Sequence, residues 1–470
     1  DLGVGQGGFV AIMLDSSCDA MICAHALQKL SAIEIAVNAT FRGRTLVRML
    51  ELADCELLIT STRYLPHIEA CAADLPKLRR IVMIDMGFKP ATSGRFEFIS
   101  LEKLRSDCTD NFNPDQRDDA TAMILFTSGT TGTAKGCIIT HRGAVRAGES
   151  MMEAFDLDEN DCVYSPYPLF HVGALHYDIL PALLLGARVV IRNGFDVRQF
   201  WPDVARFNVS WFMALGSVQQ LLWAAPPNPW EQHHRLRYFW GTPLPVDPDA
   251  FEQRFKVKVM RGGGYGSTDA GAVALPMADK RGAGRIRDRY KVAILDQHDD
   301  RVPDGTTGEL CLRPNEPAIM ASGYFGAPEA TVAAWRNGWF HTGDLARLDG
   351  DGDLIFVARK AERLRIRGQM VTACEIEEAI LAHPSVEDCA VIPQPDGLGE
   401  EVPIAIVSLR SGAMLDYPSL VAFCRGKISS MMYPQSLQII DQMPRTPSGK
   451  PARAELIRIY GSASHNQMKD

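Results

Sequence analysis

Residues 124–136 read Ile-Leu-Phe-Thr-Ser-Gly-Thr-Thr-Gly-Thr-Ala-Lys-Gly, an apolar stretch followed by glycines, hydroxyl side chains and a single lysine. Glycine lets backbone N–H groups come close to a ligand, hydroxyls donate to phosphoryl oxygens, and Lys135 adds positive charge. The composition suits a polyphosphate cradle. It is not a Walker A loop, because Ala134 stands where that motif has Gly and Gly136 where it has Ser or Thr. Composition alone allows a Ser/Thr/Gly surface loop equally well. A second lysine, Lys450, sits in Pro-Arg-Thr-Pro-Ser-Gly-Lys-Pro-Ala-Arg (444–453), on a tight glycine-containing turn. An arbitrary lysine in such a turn is ordinarily a solvated surface group.

The elements that must position these residues alternate along the chain. Apolar runs at 8–14, 187–192 and 256–260 read as strands, and 22–31, 197–207 and 217–224 as helices. Such alternation predicts α/β layers with parallel sheets. Between 290 and 357, turn-rich stretches separate short strands at 309–313 and 354–357, which predicts a small antiparallel barrel or sheet. From about residue 370 the pattern becomes helix 374–383, strands 386–393 and 402–408, helix 417–430 and strand 437–440. The expected architecture is α/β: a large N-terminal domain (1–360) of layered sheets with a small β-barrel subdomain, then a small mobile α+β domain (361–470). The chain opens almost directly on a strand, so a preceding N-terminal piece is expected.

Composition narrows the function. The 470 residues are 46% hydrophobic and 23% charged, as in globular proteins of two or three domains. Their 49 Lys+Arg against 57 Asp+Glu leave a charge of -8, which argues against a protein held to nucleic acid by a basic surface. An anionic substrate must then be met by local groups. The 11 cysteines form no CxxC and no zinc-spaced cluster with histidine, which points to a reducing cytoplasm. No apolar run is long enough to span a bilayer.

Residues 127–136 resemble the signature loop of the adenylate-forming superfamily, which comprises acyl-CoA ligases, luciferases and peptide-synthetase adenylation domains. Further matches follow in that family's order from roughly residue 8 to 455. The resemblance implies ATP/AMP, Mg2+ and coenzyme A as cofactors. It places Thr127, Ser128, Gly129, Thr130, Thr131 and Lys135 on the phosphates. Tyr265-Gly266-Ser-Thr268-Asp269 is similar to the segment whose aromatic ring stacks on adenine, whose threonine reaches the AMP phosphate and whose acid helps to hold Mg2+. Gly241-Thr242-Pro243 resembles the loop along the adenine edge. Gly338-Trp-Phe-His-Thr-Gly-Asp344 resembles the segment whose carboxylate takes both ribose hydroxyls, a natural use of an acceptor-only group. Arg359 matches the ribose-contacting arginine at the domain junction. Lys450 matches a lysine that bridges the carboxylate oxygen and the α-phosphate, where a point charge between two anions stabilises the adenylation transition state.

For the second half-reaction, 365–371 (Arg365-Ile-Arg-Gly368-Gln-Met-Val) matches the stretch that turns into the site for thioester formation, with Gly368 against the pantetheine. Peptide-synthetase domains hold an amino acid's amine with a carboxylate at a Phe-Asp segment, and here Phe170-His171-Val172 stands instead. His171 resembles the gating group of acyl-CoA ligases; a packed core histidine is the alternative. Gly173, Ala174, Ala214, Gly216, Gly263 and Gly264 fall where the family lines its acyl pocket, and small linings imply a medium or bulky acid. Around Phe170–Val172 and Gln232–Arg237 the chain is most like carnitine/crotonobetaine-type CoA ligases. No carboxylate in those stretches waits for a quaternary ammonium.

Three positions depart from the family pattern: Asp269 for Glu, Ala134 for Pro, and Ala361 for a polar hinge residue. Mg2+ demands ligands near ~2.0–2.1 Å in octahedral array, so a shorter acid matters. The expected activity is ATP-dependent formation of an acyl-AMP followed by transfer to CoA. The alternatives are a ligase that keeps only the second step and takes an acyl-AMP from a partner adenylating enzyme, and a non-catalytic acyl-adenylate-binding relative.

Overall fold

The computed structural model describes the chain except residues 1, 53, 86–93, 107–115, 128–134, 242–243, 246, 281, 361–362, 367–368, 396–400, 426, 447–449 and 462–470. The expected positions Ser128, Gly129, Thr130, Thr131, Ala134, Thr242, Pro243, Ala361 and Gly368 lie outside the described residues. Two compact units are present: one of residues 1–293, 311–341 and 348–355, the other of 294–310, 342–347 and 356–470.

In the first unit a mixed sheet runs in the order Tyr324–Phe325, Lys135–Thr140, Thr121–Thr127, Ile33–Ala36, Phe9–Met13, Leu57–Thr60, Arg80–Met83, Glu97–Ser100. From Thr121–Thr127 onward all its pairs are parallel. The strands Lys135–Thr140 and Tyr324–Phe325 join antiparallel, because a hairpin and not a crossover follows Thr127. A second sheet is wholly parallel, in the order Lys258–Val259, Tyr238–Trp240, Trp211–Met213, Cys162–Ser165, Arg188–Ile191. Buried on both faces, its central strands read as aromatic runs rather than alternating ones. Trp211, Phe212 and Phe239 are fully buried with Phe155, Phe200, Phe251 and Phe255. A third, antiparallel set pairs Tyr265–Ser267 with Gly271–Pro276 and the latter with Ala283–Ile286.

Local signals set the helix ends. Asp196 accepts from Arg198 N–H at 2.8 Å to cap Val197–Phe207, which stops at Asn208 in the left-handed region (φ 54°). Thr140 caps His141–Phe155 by accepting from Gly143 N–H at 2.9 Å. The first helix spans Cys18–Lys29 rather than 22–31, because Ser17 caps it earlier by accepting from Ala20 N–H at 3.2 Å.

The second unit carries the sheet Val386–Pro395, Glu401–Leu409, Ser436–Ile439. Alternate residues of its strands face two separate cores: Val391, Ala405 and Val407 pack with Ile376, Ile380 and Leu420, while Ile392, Ile404 and Ile406 pack with Met443 and Leu456. Helices Ala373–Leu381 and Arg453–Tyr460 are joined by Glu377, whose buried carboxylate takes Arg453 Nη2 at 2.8 Å and Val391 N–H at 2.6 Å. The helix expected at 417–430 ends at Cys424. Arg425 is already extended (φ −59°, ψ 130°), and the following Gly426 is a poor helix former.

Candidate active site

The segment between Thr127 and Lys135 is pinned at its ends. Thr127 pairs with Lys135 and Phe126 with Gly136, so residues 128–134 form the connection between two antiparallel strands. Thr127 Oγ1 lies 3.4 Å from the Lys135 carbonyl. The Lys135 ammonium stands 4.9 Å from the centre of the Tyr324 ring, a cation–π contact that holds the half-buried lysine at the strand edge. Two residues further, Cys137 pairs with Tyr324 across the strands.

Asp269 reaches the same place from another element. Its Oδ1 accepts from the Cys137 thiol at 3.4 Å, and its backbone carbonyl accepts from Ala321 N–H at 2.8 Å. Burial and then the nearby carboxylate push the Cys137 thiol well above its ordinary range, so it stays a protonated donor. The same two causes raise the Tyr324 phenol.

Tyr265 and Thr268 are half-buried on the turn that leads to Asp269. The turn is fastened by Ala270 N–H donating to Ser267 Oγ at 3.1 Å and by the buried Tyr290 hydroxyl donating to the Ala270 carbonyl at 2.7 Å. Glycines let its backbone sit close to its neighbours. Gly264 has φ +67°, and a Cβ there would lie 2.9 Å from the Ala274 carbonyl. Gly241 is tighter still, since its Cβ would fall 1.9 Å from the Ala214 carbonyl oxygen. Ala214 N–H in turn donates to the Trp240 carbonyl at 2.6 Å, and Trp240 Nε1 to the Gly263 carbonyl at 3.0 Å. At Gly241 and Gly264 the small size therefore serves backbone approach. Gly216 opens the helix Gly216–Ala224 that follows this strand end.

His171 is exposed rather than packed in the core. Its Nδ1 accepts from Gly173 N–H at 3.1 Å, which places the proton of the neutral ring on Nε2. Gly173 and Ala174 are buried, and a Cβ at Gly173 would meet Met213 Cε at 3.1 Å. Sequence reasoning passed over the next turn, where His176, Tyr177 and Asp178 are all buried.

The second unit holds its own set. Asp344 is buried and its Oδ1 lies 3.4 Å from Arg359 Nε. The loop before it is braced by Thr342 Oγ1, which donates to the Leu310 carbonyl at 2.8 Å and accepts from Asp344 N–H at 3.0 Å. Neighbouring Glu309 accepts from Gly343 N–H at 3.2 Å and pairs with Lys360 at 3.0 Å. Arg365 lies on the strand Arg363–Ile366, opposite Met370 of Gln369–Thr372, with residues 367–368 between the strands. Lys450 is exposed on a turn closed by Thr446 N–H donating to the Lys450 carbonyl at 2.7 Å and by Lys450 N–H donating to Thr446 Oγ1 at 3.2 Å.

No helix among the described residues is long and apolar enough to cross a membrane. The sequence profile of the AMP-binding enzymes matches residues 1–325, and that of the AMP-binding enzyme C-terminal domain matches 375–450. A crotonobetaine/carnitine–CoA ligase of Proteus mirabilis (strain HI4320) is 30% identical over 461 residues, covering 97% of this chain and 89% of that protein. One from Salmonella typhi is 30% identical over 456 residues, covering 96% and 88%. Among solved structures, the anthranilate CoA ligase AuaEII in complex with anthranoyl-AMP superposes with a TM-score of 0.86 at 23% identity, covering 97% of this chain and 88% of that one. ATP-bound MatB from Rhodopseudomonas palustris does so with 0.83 at 21% identity, covering 98% and 90%. The fold of these enzymes is thus the fold found here, and the chain belongs to the AMP-binding, adenylate-forming enzyme family, as an acid-thiol ligase of the acyl-CoA synthetase type.

Proposed function

We propose that this enzyme joins a carboxylic acid to coenzyme A in two steps at one site. In the first, a carboxylate oxygen attacks the α-phosphorus of ATP and pyrophosphate leaves. In the second, the thiol of CoA attacks the acyl carbon and AMP leaves. The observation that carries the reading is the convergence on Asp269: the strand leaving the 127–135 hairpin and the turn bearing Tyr265 and Thr268 are tied together there through the Cys137 thiol, with Tyr324 paired to Cys137 on the next strand.

In this reading Thr127, the hairpin residues and Lys135 bind the phosphates, Tyr265 stacks on adenine, and Thr268 donates to the α-phosphate. Asp344, oriented by Arg359, accepts from the ribose hydroxyls. Lys450 serves the adenylation step, and Arg365 and Gly368 serve the thioester step by a hinge movement of the small domain (361–470) against the large one (1–360). His171, with its ring fixed by Gly173, gates the thiol's approach. Asp269 would hold Mg2+. Its carboxylate, with the Cys137 thiol on one oxygen, keeps lone pairs to spare, and a single carboxylate plus phosphates and waters is the usual set for this ion.

One observation favours a second reading, a ligase that retains only thioester formation. Asp269 is the short acid, and it is engaged by a thiol from its own chain. Two assays decide between the readings: pyrophosphate release from free acids with ATP, and thioester formation from synthetic acyl-AMPs with CoA. Activity in both establishes the complete ligase, and activity in the second alone establishes the half-reaction enzyme. Silence in both defeats the ligase reading.

A further inference from the structure

Just beyond His171 the helix is wider than an α-helix. Across Gly173–Ile179 the backbone bonds reach five residues, as where Leu180 N–H donates to the Leu175 carbonyl. Widened turns of this kind occur frequently at functional sites. All seven residues are buried, yet three in succession are polar: His176, Tyr177 and Asp178. Among the described residues, His176 Nε2, the Tyr177 hydroxyl and Asp178 Oδ1 are shut away from solvent with no hydrogen-bond partner. Such an atom costs about 1–3 kcal/mol, and a phenylalanine at 177 would fill the same space without that cost.

Their placement supplies a reason. The other oxygen of Asp178 accepts from Ser165 Oγ at 2.9 Å, and Ser165 is the last residue of the strand Cys162–Ser165. Past the end of the adjacent strand Trp211–Met213, the carbonyl of Ala214 accepts at 2.6 Å from Nε2 of Gln219 on the helix Gly216–Ala224, and Gln219 Oε1 is likewise buried without a partner. Both groups thus lie at the carboxyl ends of parallel strands, where open α/β sheets take their ligands. Tyr177 points the same way: a Cβ on Gly266 would lie 2.6 Å from its hydroxyl, so the phenol ends directly behind the turn of Tyr265 and Thr268. Burial holds the His176 imidazole down at about 4 and pushes the Asp178 carboxyl well above its ordinary range, so each is favoured in its uncharged form.

We propose that Tyr177 and Asp178 line the acyl subsite as specificity-determining residues, and that the acid this enzyme takes carries a hydrogen-bonding group, a hydroxyl or an amine, on its acyl portion. The inference rests on the ligase reading above and adds the chemical class of the acid. A site built to hydrogen-bond a substrate group rejects the analogue that lacks it far more strongly than an apolar pocket rejects one extra methylene.

The test uses the full chain and two matched series: pentanoate, gamma-hydroxybutyrate and gamma-aminobutyrate, and para-toluate, para-hydroxybenzoate and para-aminobenzoate. Pyrophosphate release with ATP and thioester formation from the corresponding acyl-AMPs are both measured. In at least one series the hydroxyl or amino member should exceed its methyl partner by ~100-fold or more in kcat/KM. Which of the two leads identifies the group. Tyr177→Phe should cut that ratio by ~10-fold or more at a melting temperature no lower than that of the parent, and Asp178→Asn should shift it as well. A methyl member used as well as its polar partners in both series overturns the inference while leaving the ligase reading intact, as does an equal loss on all members in both variants. No response to any of the acids in either assay removes the ligase reading, and this one with it.

Discussion

The thiol of Cys137 donates to the carboxylate of Asp269 across 3.4 Å, so two residues far apart in sequence fix the position of the shortened acid. With Ala321 N–H on its backbone carbonyl at 2.8 Å, the surroundings hold the aspartate in place. A glutamate there must first displace the thiol. Asp269→Glu alone should therefore change ATP-dependent adenylation little, whereas Asp269→Glu with Cys137→Ala should raise it by ~10-fold, the equivalent of one ordinary hydrogen bond. Pyrophosphate release compared with thioester formation from acyl-AMP reads the difference. A large gain from the single substitution would show that the thiol does not constrain the acid.

Lys135 and Lys450 should separate the two steps. Lys135→Ala should raise the KM for ATP by ~10-fold or more, because a charge held at the hairpin's edge is lost, and should leave thioester formation from a supplied acyl-AMP nearly intact. Lys450→Ala should lower adenylation by ~100- to 1000-fold, the scale of losing one preorganised electrostatic donor. Equal damage to both steps by either variant would assign that lysine a structural role.

Asp344→Ala should cost both half-reactions, since AMP is bound in each. It should also weaken binding of a non-hydrolysable acyl-AMP analogue by ~10-fold or more, measured by calorimetry. Unchanged affinity would remove Asp344 from the ribose site.

Glu34 gives stability a pH dependence. It is buried against a cavity of about 20 Å³ lined by Ile12, Leu14, Met21, Phe170 and Leu175, and burial pushes its carboxyl up from 4.5 to about 7. A raised carboxyl contributes stability that is full below its unfolded value and fades as pH climbs to the folded value, because only the unfolded chain then releases the proton. Urea unfolding should show the protein losing ~2–3 kcal/mol between pH 4.5 and 7 from this group, with no further change from it above 7. Glu34→Gln should abolish that slope and be the more stable form at pH 8. A slope that persists in the variant must come from other groups.

Gly241→Ala should lower the melting temperature sharply. The new Cβ would fall on the carbonyl of Ala214, and forcing the two strand ends apart costs ~1–3 kcal/mol or more. The same substitution at Gly343, which has open space around it, should cost less and reflect only its positive φ of 72°.

The layered α/β fold was legible because strand and helix alternate with clear hydrophobic periods, and the family was legible because several short motifs occur in a fixed order. Other features were not, each for a physical reason. Cys137 reads as one more apolar strand residue, and its partner Asp269 comes from a distant turn. His176, Tyr177 and Asp178 look in sequence like the wet face of a helix; only the tertiary packing buries all three. The helix expected to reach residue 430 stops at Cys424, because backbone conformation at Arg425 overrides its apolar pattern.

The widened turn at Gly173–Ile179 also bears on how this chain tolerates insertions and deletions. A five-residue hydrogen-bonding step holds one residue more than an α-helical turn would need. Removing a single residue there would let the helix close to regular geometry and rotate everything upstream by ~100° about its axis, carrying His171 and Gly173 together to a new direction. Point substitutions in this stretch alter it side chain by side chain, whereas a one-residue deletion reorients the whole segment before it. Length variation among relatives should therefore be scarce at these seven positions even where residue identity drifts.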